Sequence, residues 1–332
     1  MSKNPTVRLS DVATVAGVSI ATASKALNDS PLVSAKTKAH VRDVAARLDF
    51  RPNALAQSFA SGRSQVVGVL THRAGSSFAR LVVMGAILEL GERERAALVY
   101  DGRVQVQQEM AESIRKLRDR RIDGLLVVGS SNRLVMPSVT HHFDVPVTYA
   151  YTVTDAAADT TFLPDDEAAG YLATRHLIER GRTRIAHITA EEVNIPTRRR
   201  EAGMRRALAE AGLEVVEILH GKWRQEWGSA AVAALIDRGV EFDALFCGND
   251  HIGFGALEAL AAHGRSVPDD VAVIGVDNWE EVIVDQEHRR LTSVDLDLAG
   301  LGRQAAVHVI GSDGEEGGER LTAPRLVLGP SA

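Results

Sequence analysis

The spacing of apolar residues divides the chain into three parts. Over the first 50 residues the apolar positions recur at helical spacing, which predicts several short helices. Residues 51–64 have helix propensity but few apolar positions, and so short a segment is not stable as a helix alone in water. From Val66 onward, short apolar runs alternate with amphipathic segments, which predicts an α/β body of parallel sheets covered by helices on both faces.

Residues 8–28 predict two short helices joined by a tight turn. Ser10 and Ser19 are expected to cap these helices, because a serine hydroxyl accepts hydrogen bonds from the free amides of a first turn. Gly17 is expected to end the first helix, since glycine turns the chain without a clashing Cβ. Small residues such as Ala23 let the two helices cross closely. The pattern indicates a helix-turn-helix unit, although helical spacing alone also fits an ordinary helical hairpin.

A third helix is expected after Ser34, which is another good cap. Its inner face would carry Val41, Val44, Ala45 and Leu48. These side chains are enough to close a three-helix bundle over residues 1–50, and the bundle favours the helix-turn-helix over the simple hairpin.

The body is predicted to alternate strands with helices. The expected strands are Val66–Val69, Ala96–Tyr100, Gly124–Val128, Val145–Ala150, Thr161–Leu163, Ile185–Thr189, Glu214–Leu219, Ala244–Cys247 and Val271–Val276. The expected helices are Phe78–Arg95, Gln107–Arg120, Glu167–Arg180, Arg198–Ala211, Ser229–Arg238 and Ile252–His263. These are too many strands for one sheet, so two lobes are expected, with a ligand cleft at the carboxyl ends of their strands.

Composition excludes several classes of protein. The chain has 332 residues, of which 45% are hydrophobic, which suits two or three folded domains. No apolar run approaches the roughly 20 residues that span a bilayer, and residues 1–6 lack the apolar core of a signal peptide, so we expect a cytoplasmic protein. The single cysteine, Cys247, excludes an internal disulfide and a cysteine-rich zinc site.

The charge is distributed unevenly along the chain. Residues 1–64 contain nine Lys or Arg against four Asp or Glu, a net of +5, and the total of −6 therefore leaves −11 for the remainder. A basic segment on an acidic body is expected when one end of a protein meets DNA phosphates and the other does not.

Four stretches carry a family resemblance: Leu9–Asn28, Val33–Thr37, Arg51–Ser64 and Val66–Val69. They resemble the lactose/galactose repressor family of bacterial transcription regulators, and the resemblance runs through the whole chain. It implies an all-α helix-turn-helix headpiece with a hinge helix, followed by an α/β two-lobe body like that of periplasmic binding proteins.

The resemblance also implies domain boundaries. The headpiece would span residues 1–50, the hinge helix and linker 51–64, and the effector-binding and dimerisation body 65–332. Within the body, one lobe would comprise about 65–162 and 293–322, and the other about 163–292 and 323–332. The implied function is a ligand-responsive repressor of carbohydrate-utilisation genes that binds a pseudo-palindromic operator as a homodimer.

In the second helix, the resemblance implies that Ile20 and Ala21 face base edges in the major groove. Both are apolar, so much of the polar base reading would fall on Lys25, at a position where the family usually has arginine. The implied phosphate contacts are Ser19, Thr22, Ser24 and Asn28. Each polar residue could instead serve as a helix cap or lie on a solvated face.

Two hinge residues complete the expected DNA contacts, Asn53 and Phe59. The family usually has leucine at the position of Phe59 and inserts it between base pairs in the minor groove. Phenylalanine could act as the same apolar wedge, or it could pack against the body.

In the body, Arg200, Asn249 and Asp277 match the family's ligand-holding positions. Such a set suits a polyol, because hydroxyls both donate and accept hydrogen bonds. Trp223 would add a flat wall, while Ser77 and Phe78, in the loop after the first body strand, would line the pocket from the other lobe together with Arg73. The alternative for Arg200 and Asp277 is a structural ion pair.

Other functions remain open at this level. If Arg73 faces the cleft, an acidic or phosphorylated effector is favoured over a neutral sugar, and a nucleobase acting as corepressor is a further alternative. A sugar sensor without DNA control and an enzyme of the same fold are further alternatives. We expect no catalytic residues, cofactor or metal, since no dinucleotide or phosphate loop is present and His141 and His142 are adjacent rather than spaced as ligands on one helix face. The family's tetramers carry a leucine-repeat helix at the C-terminus, and residues 324–330 show no heptad repeat, so the resemblance favours a dimer over a tetramer.

Overall fold

The computed structural model describes residues 7–51, 63–71, 76–101, 107–129, 135–280, 289–312 and 317–332. The chain divides into two compact units, residues 1–65 and 66–332. We refer to the described part of the first unit up to residue 51 as the headpiece and to the second unit as the body.

The headpiece contains three helices, α1 (Leu9–Val15), α2 (Ile20–Leu27) and α3 (Ala35–Arg47). Its core consists of small and β-branched side chains, which allow the helices to pack closely: Val12, Ala13, Ala16, Ala23, Ala26, Val41, Val44 and Ala45. The expected three-helix bundle is thereby confirmed. Gly17 has a φ of 66° and follows the first helix, as predicted.

The caps of α2 and α3 agree with the prediction, but the cap of α1 does not. The hydroxyls of Ser19 and Ser34 accept hydrogen bonds from the amides three residues ahead, at 3.0 and 3.2 Å. The prediction that Ser10 caps α1 is wrong, because the N-cap is Arg8, two residues earlier, and the helix begins at Leu9. The carboxylate of Asp11 accepts from the Arg8 amide at 2.8 Å, and an acidic group in the first turn also complements the helix dipole.

The body contains two six-stranded sheets. The first has the order β13-β7-β5-β3-β1-β2, and each of these strands runs parallel to its neighbours. Its strands are β1 (Val66–Thr71), β2 (Ala96–Asp101), β3 (Gly124–Val128), β5 (Val147–Ala150), β7 (Thr160–Pro164) and β13 (Gly318–Thr322). A separate pair consists of β4 (Val135–Met136) and β6 (Val153–Thr154).

The second sheet has the order β14-β12-β11-β10-β8-β9, and only β14 runs antiparallel to its neighbour among these strands. Its strands are β8 (Ile185–Ala190), β9 (Ile218–Gly221), β10 (Ala244–Cys247), β11 (Ala272–Val276), β12 (Thr292–Asp295) and β14 (Arg325–Val327). We call the parts of the body that carry these sheets the first lobe and the second lobe. The predicted α/β two-lobe architecture with parallel sheets is confirmed.

Helices cover both sheets. Those of the first lobe are α4 (Ser77–Glu92), α5 (Gln107–Asp119) and α10 (Leu298–Gly311), and those of the second are α6 (Asp166–Glu179), α7 (Ile195–Glu210), α8 (Gln225–Asp237) and α9 (Asp250–Ala262). Helices α6 and α7 cross closely at Gly170 and Gly203, where an added Cβ would overlap the partner's backbone. This close crossing fixes the position of α7, which carries Arg200, against the second sheet.

Sheet membership locates the crossings between the lobes. The chain leaves the first sheet after Pro164, returns to it after Asp295, and leaves it again after Thr322. The strand Thr292–Asp295 therefore belongs to the second sheet, so this crossing lies beyond the residue 293 expected from the resemblance. The predicted strand Glu214–Leu219 is also corrected, because only Ile218–Gly221 pairs with the sheet.

Within the described residues, none of the helices combines the length and the apolar character that a membrane crossing requires.

Candidate functional site

Helix α2 presents an exposed face at helical spacing. Ile20, Ala21, Lys25 and Asn28 are exposed, whereas Ala23 and its neighbours on the opposite face are buried in the headpiece core. Ile20 is 55% exposed, so its apolar side chain is accessible from solvent. This face is available for contact with another molecule.

The polar side chains of α2 differ in how they are already engaged. The hydroxyl of Ser19 caps the helix and lies 2.8 Å from that of Thr22, so these two residues have a structural role whatever else they contact. Ser24 is half-buried. Within the described part of the chain Lys25 forms no ion pair, which leaves its ammonium group available to a ligand.

Two other basic residues of the headpiece are engaged within the bundle. Asp29, directly after α2, pairs with Lys38 at 3.0 Å and with Arg42 at 3.1 Å. Hydrogen bonding and charge attraction from Lys38, with a contribution from Arg42, lower the pKa of Asp29. The pairs connect the end of α2 to α3 at the surface of the bundle, while the buried core holds the helices together.

Three of the predicted site residues, Asn53, Phe59 and Arg73, lie outside the described residues.

In the body, Arg200 is the centre of a cluster at the carboxyl ends of the second sheet. Its Nε and Nη2 lie 2.9 and 2.8 Å from Oδ1 of Asp166, and its Nη1 donates to the carbonyl oxygen of Gly248. Asp277 lies 3.7 Å from Nη2, and the Trp223 ring lies 5.6 Å from the guanidinium carbon. We call Arg200, Asp166, Asp277 and Trp223 the Arg200 cluster.

The two carboxylates keep Arg200 charged. Burial opposes the charge, but Asp166 and Asp277 outweigh burial and raise the pKa of Arg200 above its ordinary value. Tyr151 of the first lobe contributes to the same electrostatic environment, so the cluster interacts with both lobes. Sequence reasoning brings Arg200, Asp277 and Trp223 together correctly in space but misses Asp166, which is thirty-four residues away in the chain.

Asp277 owes its position to an unusual backbone conformation. It directly follows β11 and has a φ of 108°, and Asn278 has a φ of 52°. Side chains other than glycine seldom adopt these values, and residues that do so often lie at binding sites. The amide of Asp277 donates to the carbonyl oxygen of Val294 at 2.9 Å, which anchors the turn to β12.

Asn249 follows β10, and its side chain caps the next helix. Its Oδ1 accepts from the amide of Ile252 at 3.0 Å and caps α9. The residue is buried. The side-chain oxygen of Asn249 is therefore used to cap the helix, and its side-chain nitrogen is the atom that could contact a ligand.

Thr189 is a residue that sequence reasoning did not single out. A Cβ placed on Gly248 would contact both the Thr189 hydroxyl and the Trp223 ring, so both side chains face this glycine. Within the described ranges the Thr189 hydroxyl has no hydrogen-bond partner and is fully buried. The only sequence signal was its place at the carboxyl end of a predicted strand.

The first lobe contributes aromatic contacts. Ser77 and Phe78 lie in the first turn of α4 rather than in the loop expected for them, since Ser76 caps this helix by accepting from Ala79 at 3.3 Å. The Phe78 ring is 5.4 Å from the ring of Trp279 in the second lobe, and Trp279 is 4.9 Å from His251. Trp279 was not predicted, although it stands two residues after Asp277.

Within the described residues, no group of three or more His, Cys, Asp or Glu side chains is arranged to hold a metal ion. Cys247 is buried and burial raises the pKa of its thiol, so it is not an activated nucleophile. The arrangement instead offers a charged pair, buried hydroxyls and aromatic rings, which are the groups of a binding site for a polar ring-shaped molecule.

Two family models match the chain. The model described as periplasmic binding proteins and sugar binding domain of the LacI family matches residues 64–329, and the model described as bacterial regulatory proteins, lacI family, matches residues 8–53.

Similar proteins include two kinds of regulator. The HTH-type transcriptional repressor PurR of Vibrio cholerae serotype O1 (strain M66-2) is 30% identical over 275 residues, which cover 82% of each chain. The HTH-type transcriptional regulator CelR of Thermobifida fusca is 29% identical over 313 residues, which cover 92% of this chain and 90% of CelR.

Solved structures are similar over nearly the full length. A complex of the regulator CelR with cellobiose has a TM-score of 0.64 at 28% identity and covers 98% of this chain and 100% of that one. The lac repressor dimer bound to operator and the anti-inducer ONPF has a TM-score of 0.70 at 22% identity, with 98% of each chain covered.

Proposed function

The chain belongs to the LacI family of bacterial regulatory proteins, and we propose that it is a repressor whose DNA binding responds to a neutral carbohydrate in the cleft. It is a transcriptional regulator with a DNA-binding headpiece and an effector-binding body. The observation that carries the choice of effector is the charge balance of the Arg200 cluster.

The charge balance favours a neutral ligand. Within the described residues Arg200 is paired with two carboxylates, Asp166 and Asp277, so these three side chains together carry one net negative charge. A phosphate or carboxylate ligand would meet this negative charge with its own. A sugar hydroxyl can donate to Asp277 and accept from another group, and the buried Thr189 hydroxyl supplies one more hydrogen-bonding group.

The aromatic rings favour a ring-shaped ligand. Trp223 in the second lobe and Phe78 in the first offer flat apolar surfaces, which suit the faces of a pyranose ring. Cellobiose is bound by the related CelR, which supports a glucoside as the first probe. Aromatic surfaces also suit a purine, and the relatives that are named PurR repressors make a nucleobase the second candidate.

On DNA, we assign base reading to Ile20, Ala21 and Lys25. Their exposure on one face of α2 supports this assignment, with Ile20 suited to a thymine methyl group and Lys25 to a base acceptor. Ser19, Thr22, Ser24 and Asn28 are assigned to phosphates, together with Asn53 and Phe59 of the hinge. Repressor function on DNA places the protein in the cytoplasm, at the nucleoid, and it involves binding without turnover.

The protein acts on DNA as a homodimer, and we assign the dimer contact to α4. Met84, Ile87 and Leu88 lie on one face of this helix and are 53, 38 and 56% exposed. An exposed apolar row of this kind marks a protein interface, and a second copy provides a matching row by two-fold symmetry.

The effector assignment is tested by thermal unfolding with four probes: cellobiose, glucose, glucose 6-phosphate and hypoxanthine. A ligand that binds only the folded protein raises its Tm, by an amount that grows with concentration. We expect the neutral sugars to raise the Tm of the wild type and not of Asp277→Asn, whereas Asp237→Asn, at an exposed site of the same lobe, behaves as the wild type. Stabilisation by glucose 6-phosphate alone would contradict the charge argument, and stabilisation by hypoxanthine alone would select the purine.

A further inference from the structure

Asp250 is a buried carboxyl group behind the effector site. It begins α9, one residue after Asn249, and is 1% exposed. No ion pair with a cation is recorded for it within the described residues. A buried carboxyl without a cation beside it needs a specific role, because burial of such a group is costly.

Its two oxygens hold two different elements. Oδ2 accepts a hydrogen bond from the amide of Trp279 at 2.6 Å, in the turn that follows Asp277. Oδ1 lies 2.6 Å from the hydroxyl of Ser293 in β12. That hydroxyl also accepts from the amide of Asn278 at 3.0 Å. Two consecutive amides of the effector turn are therefore fixed, one by Asp250 and one by Ser293.

The turn requires such fixing. Asp277 and Asn278 both have positive φ values, which ordinary side chains avoid unless surrounding contacts impose them. The strand before the turn is also adapted to Asp250, because a Cβ at Gly275 would overlap its Oδ1. The glycine thus makes room for the carboxyl group directly beneath the turn.

Burial and neighbouring carboxylates act on Asp250 in the same direction. Burial comes first, and the neighbouring carboxylate of Asp277 adds to it, with a smaller contribution from Glu280; together they raise the pKa of Asp250 well above its ordinary value. Hydrogen bonds from Ser293 and Trp279 act in the opposite direction but do not outweigh them. The Ser293 hydroxyl donates to Asp250 and accepts from the Asn278 amide at the same time, so the carboxyl group, the hydroxyl and the turn form one connected chain of hydrogen bonds.

We propose that Asp250 is a positioning residue of the effector site, which holds Asp277 beside Arg200 and Trp279 against Phe78 of the other lobe. The inference rests on the proposed effector site and extends it, since it names the group that maintains the geometry of that site without touching the ligand. Trp279 becomes part of the ligand-facing wall, and its contact with Phe78 links the two lobes at the same turn.

The test follows the indole of Trp279 directly. The full-length protein labelled with 5-fluorotryptophan contains three tryptophans, and the variant Trp279→Phe identifies the ¹⁹F resonance of the third. Spectra of Asp250→Ala, Asp250→Asn and Leu260→Ala are compared with that of the wild type. Leu260→Ala is the matched control, because it removes a fully buried side chain from the same helix without touching the turn.

We expect Asp250→Ala to shift or broaden the Trp279 resonance while leaving that of Trp227 in place. Asparagine keeps an acceptor for the Trp279 amide, and its side-chain amide can donate to the Ser293 oxygen in place of the hydrogen bond that Ser293 donates in the wild type, so Asp250→Asn is expected to retain the wild-type position. Leu260→Ala is expected to lower the Tm without moving the Trp279 resonance. If Asp250→Ala does not fold, Ser293→Ala removes the other contact and is expected to shift the same resonance.

A Trp279 resonance that is unchanged in Asp250→Ala, or in Ser293→Ala where that variant is used instead, would overturn the proposal. So would an Asp250→Asn spectrum as perturbed as that of the alanine variant. The readout needs no effector. Failure of the proposed function would therefore be seen separately, as wild-type protein that binds none of the four probes although its Trp279 resonance depends on Asp250.

Discussion

Arg200 and Asp277 are neighbours in the proposed effector site, yet replacing them should have different consequences. The Arg200 side chain is 6% exposed and that of Asp166 is 0% exposed, and two contacts of 2.8 and 2.9 Å join them. Arg200→Ala would leave the Asp166 carboxylate buried without its cation. Breaking a buried pair in this way costs about 3–5 kcal/mol.

Asp277→Asn leaves that pair intact. The distance of 3.7 Å between Asp277 and Arg200 is too long for a hydrogen bond, and asparagine keeps an oxygen at the same place. We therefore expect a loss of stability of about 1 kcal/mol or less. The ligand, however, loses a hydrogen bond to a charged group, which is worth roughly 1.5–3 kcal/mol. That difference corresponds to about 10- to 100-fold weaker effector binding.

Two measurements separate the variants. For a domain of this size each 1 kcal/mol changes the Tm by roughly 2–4 °C, so Arg200→Ala should lower it by about 6–20 °C and Asp277→Asn by a few degrees at most. Isothermal titration with the sugar identified by thermal shift then gives the affinity. Equal Tm values for Arg200→Ala and the wild type, or unchanged sugar affinity in Asp277→Asn, would refute this division of roles between Asp166 and Asp277.

Three further predictions concern other parts of the molecule. His187 is fully buried, and burial lowers its pKa from 6.5 to about 4. On acidification, the histidine is protonated in the unfolded state before it is protonated in the folded state. Lowering the pH from 6.5 to 4 should therefore reduce the free energy of unfolding of the wild type by about 3 kcal/mol more than that of His187→Gln, as measured by urea unfolding at each pH. A matching pH dependence in both would exclude His187 as its source. Lys25→Ala should change the base preference of the protein in a duplex-binding assay. Arg47→Ala, which removes the same charge from α3, should weaken binding to all duplexes alike or not at all. An identical base preference in both variants would show that Lys25 does not contact the bases. Leu88→Glu should be monomeric in sedimentation velocity. Val193→Glu, at a 75% exposed site of the other lobe, should remain dimeric. If Leu88→Glu is also dimeric, the dimer interface lies elsewhere.

Local sequence patterns predict the elements of this fold well because the interactions that define them are local. Ser19 and Ser34 bond to amides three residues ahead, and Gly17 turns the chain within the same few residues. Ser10 shows the limit of this reasoning. Serine is a good capping residue, but here the neighbouring Asp11 accepts a hydrogen bond from the Arg8 amide and the helix begins before Ser10. Residue type alone does not predict which of two neighbouring polar residues forms the cap.

The C-terminal part of the body was predicted least well. Helix α10 (Leu298–Gly311) and the strands on either side of it were not among the expected elements. Glycines lower helix propensity, and this helix contains Gly300 and Gly302. The structure gives a reason for Gly302, since a Cβ there would overlap the backbone of Val82 in α4. The sequence of one helix does not show that another helix packs closely against it.

The Arg200 cluster, the proposed effector site, was predicted in part, through the resemblance of the chain to a family. Arg200, Asp277 and Trp223 do meet, but Asp166, Asp250 and Trp279 were not foreseen. Their contacts join residues that are 34, 29 and 43 positions apart in the chain. Only the packing of α6, α7 and α9 against the second sheet brings these residues together. No periodicity or local motif encodes such contacts.

The central claim, a regulator that reads a two-fold symmetric operator, is tested most directly by selecting bound duplexes from a random DNA pool at near-physiological salt. The purified full-length protein is used, once alone and once with the four effector probes. The account predicts enrichment of one pseudo-palindromic site with two half-sites, in agreement with two copies of α2 related by two-fold symmetry. Binding that falls steeply with salt but enriches no sequence under any of these conditions would contradict it.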